Sequence, residues 1–123
     1  MLEEFLDKKH ALFDADYVLV KIDIDNMPNG KAVAGRLRKK PEGGIPWMVM
    51  LNGKGEELIN SDGPSGNIGY PAEPDEINYF MEMLKATEKR MTLEQMMEIK
   101  VALQQAEEER RQQRTRRTEG NSN

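Results

Sequence analysis

GGIPWMVML, residues 43–51, sets a proline at the mouth of the most apolar run in the chain. Two glycines lead in, Ile45-Pro46 follows, and Trp47, Met48, Val49, Met50 and Leu51 pass without a charge. Proline has no N–H to give to a ladder, so it stands at a strand's first residue, at an edge or at a bulge. The run therefore predicts a strand over 46–51 that opens on Pro46. Asn52-Gly53-Lys54-Gly55 predicts a tight reversal, and EELIN, 56–60, the returning hairpin strand.

Upstream, LEEFLDKKHALF, 2–13, carries apolar residues at 2, 5, 6, 12 and 13, with Lys9 interrupting. That spacing predicts a helix, and no Ser, Thr, Asp or Asn precedes Leu2 to cap it. YVLVKIDI, 17–24, alternates Val18, Val20, Ile22 and Ile24 with Tyr17, Leu19, Lys21 and Asp23, which predicts a strand. NMPNG, 26–30, reads as a turn. Residues 31–40 read as a short helix packing Val33 and Leu37, stopped by Pro41, Gly43 and Gly44.

Downstream, 61–74 is loop by composition and long for so small a domain; its glycines read as turn residues, a lid over Pro46 being the minor alternative. A helix follows from Asp75, with Ile77, Phe80, Met81 and Leu84 on one stripe and acids 73, 75 and 76 at its positive end. Thr92-x-x-Gln95 fits a capping box, and Met91 with Met96 fits its hydrophobic staple. The helix that starts there loses its apolar positions by Ala106. The division expected is a domain at 1–87, a helical extension at 88–118 and a disordered tail at 119–123.

The order of these elements resembles the thioredoxin-like fold. YVLVKIDID resembles that family's strand ending in an acidic pair. GGIPWMVML resembles its strand opening on a cis-proline, NGKGEEL its glycine-containing hairpin, and the helix with Ile77, Phe80, Met81 and Leu84 the one covering the sheet at the end. GNIGYPAEPDEINYFMEML is also similar to a stretch found in some bacterial members. The resemblance implies an α/β, thioredoxin-like fold with a cis Ile45–Pro46 bond. It also implies a substrate groove at Ile45, Pro46 and Trp47, where the Ile45 backbone pairs with an extended protein or peptide partner.

The family's Cys-x-x-Cys stands at the N-terminus of its first long helix, where the dipole favours thiolate. Matched to that pattern, this chain would begin inside that helix and lack the strand before it, and it has no cysteine. The fold is therefore expected to be N-terminally incomplete, with Met1 an internal methionine of a longer thiol–disulfide oxidoreductase. Such oxidoreductase activity is not expected from this chain, and no catalytic residue is assigned. Unpaired strand edges are expected to favour self-association.

Composition narrows the remaining classes. The chain has 123 residues and a net charge of −4, with 10 basic and 15 acidic residues over 1–87 against 8 and 7 over 88–123. No cofactor is expected, and no metal: one histidine and no cysteine supply no ligand spacing. Asp23-Ile24-Asp25-Asn26 fails the calcium-loop pattern in both registers and reads as a strand end with a helix cap. His10 reads as a surface residue. Asp62, Glu73, Asp75 and Glu76 read as loop and helix-start acids, and Trp47 and most methionines as core.

RRQQRTRR, 110–117, follows three glutamates and has no aromatic residue for base stacking, so nucleic acid is not expected as a partner. No apolar stretch reaches the ~20 residues of a membrane span, and no membrane partner is expected. As written the chain reads as cytoplasmic, a leader on a longer parent deciding otherwise. Two functions compete. One is a redox-inactive thioredoxin-like domain that retains the groove. The other is a non-catalytic assembly adaptor using the C-terminal helix and the exposed sheet edge.

Overall fold

The computed structural model describes residues 2–39 and 44–121, with side chains as far as Thr118. The predicted stop at Pro41 and Gly43 and the last two residues of the tail lie outside the described residues. The architecture mixes helices with two small antiparallel sheets. In chain order the elements are α1 (Leu2–Lys8), α2 (His10–Phe13), α3 (Gly30–Leu37), β1 (Val49–Leu51), β2 (Glu57–Asn60), β3 (Asp62–Gly63), β4 (Gly66–Asn67), α4 (Pro74–Thr87) and α5 (Leu93–Asn121).

The first predicted helix is two, divided at Lys9, where the apolar stripe is interrupted. The predicted strand at 17–24 is not part of either sheet: β1 pairs only with β2, and β3 only with β4. A strand needs a neighbour to take its N–H and C=O groups, and none lies beside this segment among the described residues. The segment ends where the Asp23 carboxylate accepts the N–H groups of Asp25 and Asn26, at 2.9 and 3.0 Å. Those bonds, led by one from the Asn26 side-chain amide, hold its pKa below the ordinary value. Gly30 then starts α3 against the Asp23 carbonyl, where a Cβ would collide with it.

β1 and β2 form the predicted hairpin, with Val49 opposite Asn60, Met50 opposite Ile59 and a bulge before Leu51. The ladder starts at Val49 rather than at Pro46. Residues 61–74, read as loop, fold back at once into the β3–β4 hairpin.

One apolar cluster joins Phe5, Phe13, Ile68, Ile77, Phe80, Met83 and Leu84 to Met91, Ile99 and Leu103. It runs across residue 88, so the first turns of α5 share the core of α4. On α4 the stripe takes Met83, fully buried, while Met81 is only partly covered. On α5 the covered face passes from Ile99 and Leu103 to Glu107, whose carboxylate accepts from Arg110 at 2.8 and 3.1 Å and from Arg114 at 3.1 Å. The Arg110 bond, against the opposing cost of burial, sets the net lowering of its pKa, with Arg114 adding to it. Arg110 also lies 4.5 Å over the Tyr70 ring, itself edge-on to Phe5. The arginine run is thus partly spent inside the fold.

The link from α4 to α5 is held from a distance. The Asp16 carboxylate accepts the N–H groups of Lys89, Arg90 and Met91 at 3.1, 2.8 and 2.7 Å. Thr92 and Gln95 then close the predicted capping box, each side chain accepting the other's N–H at 3.0 and 2.9 Å. Desolvation raises the Asp16 pKa, but the bonds from Met91, Lys89 and Arg90 outweigh it and the net shift is downward.

A carboxylate depressed in the folded state stabilises fully above its unfolded value and loses that contribution as pH falls through the folded one. Asp16→Ala is therefore expected to cost about 1–2 kcal/mol near neutral pH, the half-open site keeping it to the low end for charged hydrogen bonds. The penalty shrinks on acidification below about pH 4. Urea melts of both proteins from neutral pH downward check this, and a penalty constant across the series would remove the charge from the account.

Candidate functional site

The three residues assigned to the groove stand together just before β1. The Ile45–Pro46 bond is cis. Ile45 is 76% exposed and Pro46 is exposed. Trp47 does not join the core, contrary to the sequence reading, and is half-buried at the surface. Its indole N–H donates to Asp62 Oδ2 at 3.1 Å, and the Arg38 guanidinium sits 5.2 Å over its ring. An indole needs an acceptor for its N–H, and a cation over its face is attracted by the ring quadrupole. Together Asp62 and Arg38 hold it away from the apolar cluster.

Trp47, Leu37 and Leu51 line an open cleft of about 520 Å³ together with the basic residues Arg36 and Lys39 and the acidic residues Glu57 and Asp62. Both signs of charge therefore share the cleft with apolar side chains.

The segment is fixed from beneath by residues that sequence reasoning left in a loop. Ser61, fully buried, accepts the Met48 N–H at 2.9 Å and donates to Asn67 Oδ1 at 2.7 Å. The Asn67 amide donates in turn to the carbonyls of Gly44 and Pro46, at 3.2 and 2.9 Å. Arg38 donates to the Gly44 carbonyl at 2.7 Å. Residues 61–69 are thus a support for the Pro46 segment and not a lid above it. One signal was legible: in the hairpin register that pairs Val49 with Asn60, residue 61 falls opposite Met48.

The other singled-out residues are placed elsewhere. Glu76 accepts the N–H groups of Ala72 and Glu73 at 3.2 and 2.9 Å, capping α4. His10 meets Asp14 at 3.0 Å on the exposed side of α2. No group of three His, Asp or Glu side chains is placed to hold a metal ion among the described residues. Among them, no helix is long and apolar enough to cross a membrane.

No family model, no curated protein and no solved structure matches this chain.

Proposed function

We propose that the chain is a redox-inactive, thioredoxin-like binding module that receives an extended peptide at Ile45, Pro46 and Trp47. The observation that carries this reading is the exposed Ile45 beside a cleft lined by Trp47, in a segment that Asn67 holds through the Pro46 carbonyl. An extended peptide would take main-chain hydrogen bonds at Ile45 and set alternate side chains into the cleft, the logic of strand addition. A chain without cysteine has no thiol to exchange, so binding is the activity left to such a site.

Trp47 is the sole tryptophan, so its fluorescence reports on this site alone. Titration with carboxymethylated insulin B chain, an extended peptide without free thiols, is expected to shift the Trp47 emission saturably. The intact insulin reduction assay is expected to show no turnover. Unmoved emission across an extended-peptide panel ends the binding reading, and turnover ends the redox-inactive one.

A second reading has its own observation. Leu93, Met97 and Val101 are 72%, 51% and 43% exposed and recur every fourth residue along α5, opposite its covered face. That stripe suits an assembly adaptor that docks a partner helix. Partner binding lost on Met97→Glu, with Trp47 emission unaffected, would favour it.

A further inference from the structure

The most exposed apolar segment of the molecule lies away from the cleft, at residues 17–23. Val18 is 91% exposed, Val20 73%, and Leu19 half. Among the described residues, the N–H and C=O groups of residues 18–22 take no hydrogen-bond partner. Valine and isoleucine at 18, 20 and 22 favour an extended chain. Natural edges of this kind are usually guarded by an outward lysine. Here that guard is spent: the Lys21 ammonium donates to both carboxylate oxygens of Asp7, at 3.1 and 3.0 Å. The Asp23 carboxylate is likewise committed to its own turn.

We propose that a second copy of this chain pairs with residues 17–23 as an antiparallel strand, in a register centred on Val20. A two-fold interface must be self-complementary, and this segment is. In that register Val20 faces its own copy, Val18 faces Ile22, Leu19 faces Lys21 and Tyr17 faces Asp23. Apolar residues meet apolar residues on one face, and no like charges stand opposite on the other.

Neighbouring registers do worse. Centring on Lys21 opposes two lysines. Centring on Ile22 carries the ladder past Asp23 to residues 24–26, inside the turn closed by the Met27 N–H on the Asp23 carbonyl. Centring on Leu19 brings in Asp16, already tied to residues 89–91. A shift of half a step sets valine against Lys21 or Asp23. The segment therefore carries its own complement, which favours a second copy over a foreign strand. This surface is separate from the peptide cleft.

The absence of cysteine makes the register testable in the full chain, because any introduced thiol is the sole one. In Val20→Cys the two thiols would face each other with Cβ atoms about 4.5–5.5 Å apart, close to disulfide reach. In Val18→Cys they would sit about 13 Å apart along the ladder. Oxidation is expected to cross-link Val20→Cys roughly tenfold faster than Val18→Cys.

Sedimentation of the unaltered chain is expected to rise with concentration from 14.1 kDa towards twice that mass. Val20→Arg should stay monomeric with an unchanged circular dichroism spectrum, since that side chain faces solvent. A monomer up to the solubility limit overturns the proposal, as does equal cross-linking at both positions. So does a dimer that survives Val20→Arg, which places the contact elsewhere, and so does an edge that remains monomeric but takes up an added strand peptide.

Discussion

Leu103→Ala is expected to lower stability by about 2–5 kcal/mol, the range for a fully buried leucine whose site cannot collapse. The whole molecule is expected to respond, and not α5 alone. Leu103 is fully buried, and with Ile99 and Met91 it belongs to the same cluster as Phe80, Met83 and Leu84 of α4 and Phe5 of α1. A cavity there opens inside a cluster to which three helices contribute. Against a typical total of ~5–15 kcal/mol, such a loss brings a small domain close to its threshold. Thermal melts followed by far-ultraviolet circular dichroism and by Trp47 fluorescence should shift together. A helical signal that falls while Trp47 keeps its native transition would show α5 unfolding as a separate unit.

Asn67→Ala is expected to cost about 1–3 kcal/mol, because the Pro46 carbonyl and the Ser61 hydroxyl each lose a partner while the Gly44 carbonyl keeps Arg38. The carbonyls of Gly44 and Pro46 lose a donor, and the buried Ser61 hydroxyl loses its acceptor. The effect on binding should exceed what stability alone explains. The Pro46 segment is braced chiefly by Asn67, Ser61 and Arg38, so freeing it loosens the main chain that the peptide would meet. Peptide titration at a temperature where the variant remains folded should show a weakened or absent Trp47 response. A folded Asn67→Ala protein that binds as before would mean that the segment does not depend on its brace.

Several elements were legible because their signals are local. The β1–β2 hairpin follows from an apolar run, a glycine-rich reversal and a second strand within fifteen residues. The capping box at Thr92 and Gln95 and the stripe of Ile77, Phe80 and Leu84 need only neighbours three or four residues away. The prediction for Trp47 failed because ring size argues for burial, whereas its placement depends on Asp62 and Arg38. Neither lies near it on a helical or strand repeat.

By itself, the sequence determined the apolar stripes of the helices, the hairpin and the lack of any thiol, but it opened the strand at Pro46, three residues before the ladder, and ran the first two helices together. Periodicity, turn chemistry and residue inventory act over a few positions and carry that much. Only the tertiary structure decided which groups meet. It tied Asp16 to residues 89–91, placed Asn67 against the Pro46 segment, neutralised Glu107 with arginines and left residues 17–23 without a ladder among the described residues. Each of those outcomes depends on partners distant in the chain or on the lack of one. An alternating strand pattern specifies the faces of a segment, but pairing requires a second strand beside it, and that is a property of the packed molecule.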